Sequence, residues 1–153
     1  MEKSNIEAFR IIGISIRTTN ENGQSTKDTG DLWKKFMTEG ILGKIPNKID
    51  NTVYSIYTDY QSDHTGFYTT ILGCKVQSIE TLPDGMIARN FAGGNYVRFV
   101  ANGDLTKGAV FVEWLKIWKM DLNRTYTADF EVYGEKAQNP ADAEVEIFVA
   151  IQE

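Results

Sequence analysis

The stretch Val110-Phe111-Val112-Glu113-Trp114-Leu115-Lys116-Ile117-Trp118, followed by Tyr126-Thr127-Ala128-Asp129-Phe130-Glu131-Val132-Tyr133, changes period over a short distance. Val110, Phe111, Trp114, Leu115 and Trp118 recur at three- and four-residue spacing, the stripe of an amphipathic helix, with Asp104 ahead of it as a candidate cap. From Tyr126 the pattern becomes the two-residue alternation of a strand. Another strand is predicted over residues 143–151, across a polar loop at 134–142 that contains Pro140. Upstream, residues 86 to about 100 read as a strand interrupted at Ala92-Gly93-Gly94, where paired glycines predict a bulge or kink. The order is β-α-β-β.

The first half gives the same order. Phe9, Ile11, Ile12, Ile14 and Ile16 indicate a strand, closed by the turn-forming Asn20-Glu21-Asn22-Gly23. Leu32, Trp33, Phe36 and Met37 carry a helical period, with Thr26, Asp28 and Thr29 as candidate N-caps, Gly40 as a stop signal and Pro46 beyond it. Two strands follow, over 52–60 and 68–79, around the loop Asp63-His64-Thr65-Gly66. Leu32-Trp33 with Phe36 echoes Trp114-Leu115 with Trp118. The chain therefore reads as one α+β domain over residues 1–153, built from pseudo-repeats at about 6–80 and 86–152. Two β-α-β-β units bury their apolar faces by joining into one curved antiparallel sheet with two helices, and the seam between them predicts a central ligand cleft.

Bulk composition narrows the function. The 153 residues are 42% hydrophobic and 24% charged, ordinary for a globular chain, and no stretch reaches the roughly 18 apolar residues of a membrane span. Residues 1–5 are polar and lead directly into a strand pattern, so no secretion signal is read and a cytoplasmic location is expected. The single cysteine, Cys74, lies among apolar residues and reads as core. A net charge of −5 argues against phosphate-rich partners, and Lys34-Lys35 and Lys116 with Lys119 fall on polar helix faces. Neither nucleic acid nor membrane is an expected partner.

Four segments, taken together, resemble a known family: residues 12–20 (IGISIRTTN), 32–36 (LWKKF), 53–60 (VYSIYTDY) and 129–133 (DFEVY). The chain is similar to bacterial effector-binding proteins, the GyrI-like or AraC-type effector-binding domains, and in particular to stand-alone members such as the integron-cassette proteins that bind cationic drugs. The resemblance implies a duplicated β-α-β-β unit with a ligand cleft between the halves. It also implies that Glu131 takes the place of a buried glutamate that, with aromatic walls, receives amphipathic and often cationic molecules. Stand-alone relatives include binders of lipophilic cations, hydrolases of cyclopropane-containing toxins and inhibitors of DNA gyrase, and the resemblance does not choose among them. No DNA-binding segment precedes the first strand, so a role in transcription would need a regulator as partner; a gyrase partner and a homodimer stay open.

The residues themselves carry part of this reading. Alternation places Asp129, Glu131 and Tyr133 on one face of their strand, with Ala128, Phe130 and Val132 on the other. A carboxylate in apolar surroundings needs a compensating partner, which a cationic ligand would supply. Trp33, Tyr54, Tyr57, Tyr68, Phe91, Tyr96, Trp114 and Trp118 are candidates for flat cleft walls, although rings at helical spacing equally serve to pack a helix on a sheet. Glu146, with Glu144, is a candidate for the cleft border. An enzyme built here would use Glu131 as general base with Tyr57 or Tyr96 as hydrogen-bond donor, because His64 sits in a polar turn and no nucleophilic triad or metal-ligand spacing occurs. Neither cofactor nor metal is expected, since Gly93-Gly94 lacks the context of a phosphate cradle.

Overall fold

The computed structural model describes residues 2–152, and among them eight strands form one curved sheet carrying helices on one face. The elements are β1 (Glu2–Ile6), β2 (Phe9–Thr19), α1 (Gln24–Thr38), the single turn α2 (Ile41–Lys44), β3 (Val53–Thr58), β4 (Phe67–Lys75), β5 (Ile87–Phe91), β6 (Gly94–Gly103), α3 (Ala109–Trp118), β7 (Ala128–Tyr133) and β8 (Ala143–Ala150). Strand order is β1-β6-β8-β7-β3-β4-β2-β5, every pairing antiparallel. The fold class is α+β, as the periodicity predicts. The same element order recurs in β2-α1-β3-β4 and β6-α3-β7-β8, and the halves join through β3 and β7.

Parity explains the burial. In β2, Phe9 and Ile11 point to one face and Ile12 and Ile14 to the other, which is why the sequence shows two interleaved apolar series. On the helix-bearing face, Leu32 and Phe36 of α1 pack with Ile12, Ile14, Leu72 and Cys74, while Trp114 and Ile117 of α3 pack with Val97, Ile147 and Val149. The opposite face forms a third core in which Phe9, Ile11, Tyr54, Ile56, Phe91, Tyr96, Phe130 and Phe148 meet. These rings contact one another directly, with Phe9 and Tyr96 both against Phe130 at 5.5 and 5.4 Å between centroids. Strands from both ends of the sheet contribute, so curvature closes this core without a covering helix.

Several boundaries depart from the sequence reading. The polar segment at the start is β1, paired along β6 rather than leading into its neighbour β2. The strand predicted over 86 to about 100 is two strands: β5 pairs with β2 of the first half, and β6 with β1 and β8 of the second. The leading strand of each half thus pairs with the other half. Gly93-Gly94 is therefore the crossing between two strands of the sheet rather than a bulge within one. Thr26, Asp28 and Thr29 lie inside α1, whose N-cap is Gly23, and Asp28 instead accepts hydrogen bonds from Thr18 Oγ1 (2.8 Å) and Gln24 (3.1 Å). Asp104 caps the 3-10 turn Leu105–Lys107, and α3 follows from Ala109 with Gly108 as its N-cap. Among the described residues no helix is long and apolar enough to cross a membrane.

Gly93 has φ 77°, and a Cβ there would lie 2.2 Å from the Ile6 carbonyl oxygen. Gly93→Ala is expected to destabilise the protein by about 2–4 kcal/mol in urea denaturation, from backbone strain together with the clash. Gly23→Ala, at a similar φ of 71° but with open space around the Cβ, should lose only about 1 kcal/mol.

Candidate functional site

Helices α1 and α3 lie on either side of the β3–β7 seam and enclose with it a cavity of about 220 Å³. Ser25, Thr29 and Trp33 come from α1, and Val110, Phe111, Trp114 and Trp118 from α3. Tyr57, Glu131 and Tyr133 rise from the sheet, and Asn20, Tyr60, His64, Tyr68 and Arg124 also line it. Cross-strand register sets the floor: Ser55 pairs with Glu131 and Val53 with Tyr133, so these side chains share the helix-bearing face with Tyr57.

Glu131 is only 2% exposed. Its Oε2 accepts from the Tyr57 hydroxyl and from the Trp114 indole N–H, each at 2.7 Å, and its Oε1 accepts from the Tyr133 hydroxyl at 2.6 Å. Three elements, β3, β7 and α3, thereby converge on one carboxylate. Burial pushes its pKa above the ordinary glutamate value, and the three donors pull the other way without cancelling it. The Tyr57 and Tyr133 hydroxyls are pushed well above their usual range, first by burial and then by the adjacent carboxylate, so both remain protonated donors. Around this polar point the rings meet edge to face: Tyr57 with Trp114 (5.7 Å) and Tyr68 (5.8 Å), and Trp33 with Tyr133 (4.9 Å).

A second polar cluster borders the cavity. Asp129 is fully buried and accepts from Tyr60 Oη (2.6 Å), Arg124 Nη2 (2.7 Å) and the Ala150 amide (2.8 Å). The Arg124 guanidinium also lies over the Tyr126 ring (4.4 Å) and faces Trp114 (5.9 Å). His64 stacks on Trp118 with 5.1 Å between centroids and a 9° interplanar angle. Burial and the nearby Arg124 charge push its pKa down, which keeps the imidazole neutral at pH 7. The Arg124 guanidinium is paired with Asp129, while Glu131 meets only neutral donors. Among the described residues no group of three or more His, Cys, Asp or Glu is placed to hold a metal.

The structure brings Glu131, Trp33, Tyr57, Tyr68, Trp114 and Tyr133 together at this cavity, with Trp118 beside them. It places four other candidates elsewhere. Tyr54, Phe91 and Tyr96 belong to the core on the opposite face, where Tyr96 donates to the Ala128 carbonyl oxygen (2.9 Å) and cannot serve chemistry near Glu131. The reason is parity: Tyr54 and Tyr57 are three residues apart on one strand and face opposite ways. Glu146 precedes Ile147, the cross-strand partner of Glu131, so it too points away and pairs with Arg98 at 2.6 Å. Glu144, two residues earlier on β8, lies near Lys136 at 3.3 Å. His64 lines the cavity rather than only forming a turn; the turn is made by Asp63, which accepts from the Thr65 amide. Arg124 and Tyr60 were not singled out by the sequence. The predicted strand over 52–60 contains Tyr60, but β3 ends at Thr58 and Asp59 has φ 52°, so alternation does not carry to Tyr60; Arg124 lies in an irregular segment, and the one available signal for both was the buried Asp129 that requires donors.

The family model described as integron-associated effector binding protein matches residues 4–151. The protein YobU of Bacillus subtilis (strain 168), which carries the name of a candidate transcriptional regulator, is 28% identical over 97% of this chain and 96% of its own length. An integron cassette protein from the mobile metagenome of Vibrio cholerae superposes with a TM-score of 0.74 at 32% identity, covering 99% of this chain and 95% of that one. The structure of SAV2435 bound to tetraphenylphosphonium shares the fold, with a TM-score of 0.81 at 14% identity over 99% of this chain and 93% of that chain.

A carboxylate whose pKa is raised on folding binds protons more tightly in the folded state. Stability of the free protein therefore falls as pH rises from the ordinary glutamate value through the raised one, and the loss is complete above it. Glu131→Gln removes that dependence. It is expected to raise the stability of the free protein at neutral pH by about 0.5–2 kcal/mol, as at other sites where function is kept at the expense of stability. Thermal melts of both proteins across pH 5 to 8 check this, and the two curves should converge on the acid side.

Proposed function

The chain belongs to the family of integron-associated effector-binding proteins, and from that premise we propose that it captures an amphipathic organic cation, with Glu131 as the counter-charge. The observation that carries this reading is a fully buried carboxylate facing an aromatic cavity with no cation among the described residues paired to it: its three partners, Tyr57, Trp114 and Tyr133, are all neutral donors. Neutral donors offset part of the desolvation cost of a carboxylate, and a positive charge offsets more, about 4 kcal/mol at 4 Å in a medium of intermediate dielectric. The rings add about 0.5–2 kcal/mol for a cation over each available face. A carboxylate at the cavity floor disfavours anions. Tetraphenylphosphonium, bound by SAV2435 on the same fold, is a cation of the kind this cavity suits.

Selectivity follows from the same geometry. Stacked and edge-on rings present smooth walls, so along them affinity depends on charge and apolar area rather than on one outline. Sequestration and sensing both begin with this step.

Titration with tetraphenylphosphonium, followed by quenching of tryptophan fluorescence, is expected to saturate, because Trp33, Trp114 and Trp118 all border the cavity. Glu131→Gln should weaken binding at least tenfold, about 1.4 kcal/mol or more. Affinity should also decline on acidification through the raised Glu131 pKa, because protonation cancels the counter-charge, and that decline should be absent from the variant. Equal affinity in the two proteins would overturn the reading.

A further inference from the structure

Buried side-chain polar atoms in folded proteins nearly always find a partner, so those that do not are informative. Among the described residues four such atoms stand without one, and three of them belong to residues that line this single cavity: Arg124 Nε, Arg124 Nη1 and His64 Nδ1. The Arg124 side chain is 5% exposed and is held from three directions, by Asp129 at Nη2 and by the rings of Tyr126 and Trp114. A guanidinium has five N–H donors in a planar fork, so a rigidly placed arginine with an unused edge is a prepared receptor for an oxygen acceptor. Water can serve these donors in the free protein, and a ligand oxygen of the right reach replaces it.

Resting on the cation reading above, we infer that the preferred ligand carries a neutral oxygen acceptor, such as an ester, amide or ether oxygen, which Arg124 receives while the cationic head sits at Glu131. Charge balance decides against an anionic acceptor. The positive charge of Arg124 is already matched by Asp129 and the negative charge of Glu131 by the ligand head. A carboxylate on the ligand would therefore add an uncompensated charge to a poorly hydrated cavity, whereas a neutral oxygen satisfies the donors without that penalty. The two polar points are joined by Trp114, whose indole N–H donates to Glu131 while its ring faces the Arg124 guanidinium. A flat aromatic linker between cationic head and oxygen would lie along that ring.

Isothermal titration calorimetry with three probes tests this: benzoylcholine, which has the ester oxygen; (4-phenylbutyl)trimethylammonium, which has the same charge and no oxygen; and phenylalanine betaine, which has a carboxylate. The wild-type protein is expected to bind benzoylcholine about tenfold more tightly than the hydrocarbon cation, the increment of one hydrogen bond to a charged donor. Phenylalanine betaine should bind more weakly than both. Arg124→Lys keeps a positive charge beside Asp129 but removes the fork, and should bring benzoylcholine and the hydrocarbon cation to equal affinity, whatever it costs the two in common. Glu131→Gln should weaken both cations alike, which separates the two polar points. Equal wild-type affinities for the two cations, or an ester preference that survives Arg124→Lys, would overturn the inference while leaving the cation reading intact, and tighter binding of the betaine would overturn the neutral assignment. Failure of both cations to bind would remove the cation reading and this one with it. If Arg124→Lys does not fold, the wild-type comparison alone decides.

Discussion

The Glu131 carboxylate is the constraint around which the rest of this structure is arranged. A charged group taken fully out of water is stable only where nearby dipoles or charges replace its hydration, and here Tyr57 from β3, Tyr133 from β7 and Trp114 from α3 supply the dipoles. Those three contacts tie α3 to the seam and connect the two halves of the sheet at the point where β3 meets β7. They also orient the rings, because a phenol or indole whose polar atom is fixed has little freedom left for its plane. The aromatic walls are thus a consequence of how the carboxylate is satisfied, and not an independent set of side chains.

The fold makes such a buried polar point tolerable by separating it from the apolar packing. Each helix has its own core with its own half of the sheet, and the third core lies on the other face, so the seam between the helices is left free of bulky aliphatic packing. The leading strands add a second link between the halves, since β1 extends the sheet beyond β6 and β5 extends it beyond β2. Pairing at the centre and exchange at both edges make the relative position of the halves a property of the whole sheet. A cavity built across their junction inherits that rigidity, which is what pre-organised binding requires.

What the sequence revealed and what it concealed divide along the same physical line. Period changes located the helices and most strands, because apolar spacing records which face is buried. The D-F-E-x-Y run at Asp129 to Tyr133 gave the facing of Glu131 directly, and Phe130 does point into the opposite core. The same rule, applied to Tyr54 and Tyr57 together, excludes one of them from the cleft, so parity along β3 held more information than residue type. Phe91 and Tyr96 were harder, since the chain changes position in the sheet at Gly93-Gly94 and no local pattern reveals which strand each segment joins. β1 was concealed because an edge strand with one solvated face can be almost wholly polar. Arg124, Tyr60 and His64 come from irregular segments brought in by tertiary folding.

The arrangement around Glu131 also bears on whether a bound molecule leaves unchanged. A general base needs a lone pair directed at the proton it removes, and an ionised carboxylate offers about four acceptor positions. Three of these are occupied at 2.6–2.7 Å by donors that belong to the protein. Tyr57, a neighbouring hydroxyl that could assist a leaving atom, already donates its hydrogen bond to Glu131, and Tyr96 is committed to the Ala128 carbonyl on the far face. Activating a water would therefore require breaking contacts that keep the buried charge stable. Holding a cation requires none of this, because electrostatic attraction acts on the whole carboxylate and leaves every hydrogen bond in place. The three donors that stabilise the Glu131 carboxylate also make it a hindered base, which is the geometric ground for proposing capture rather than turnover.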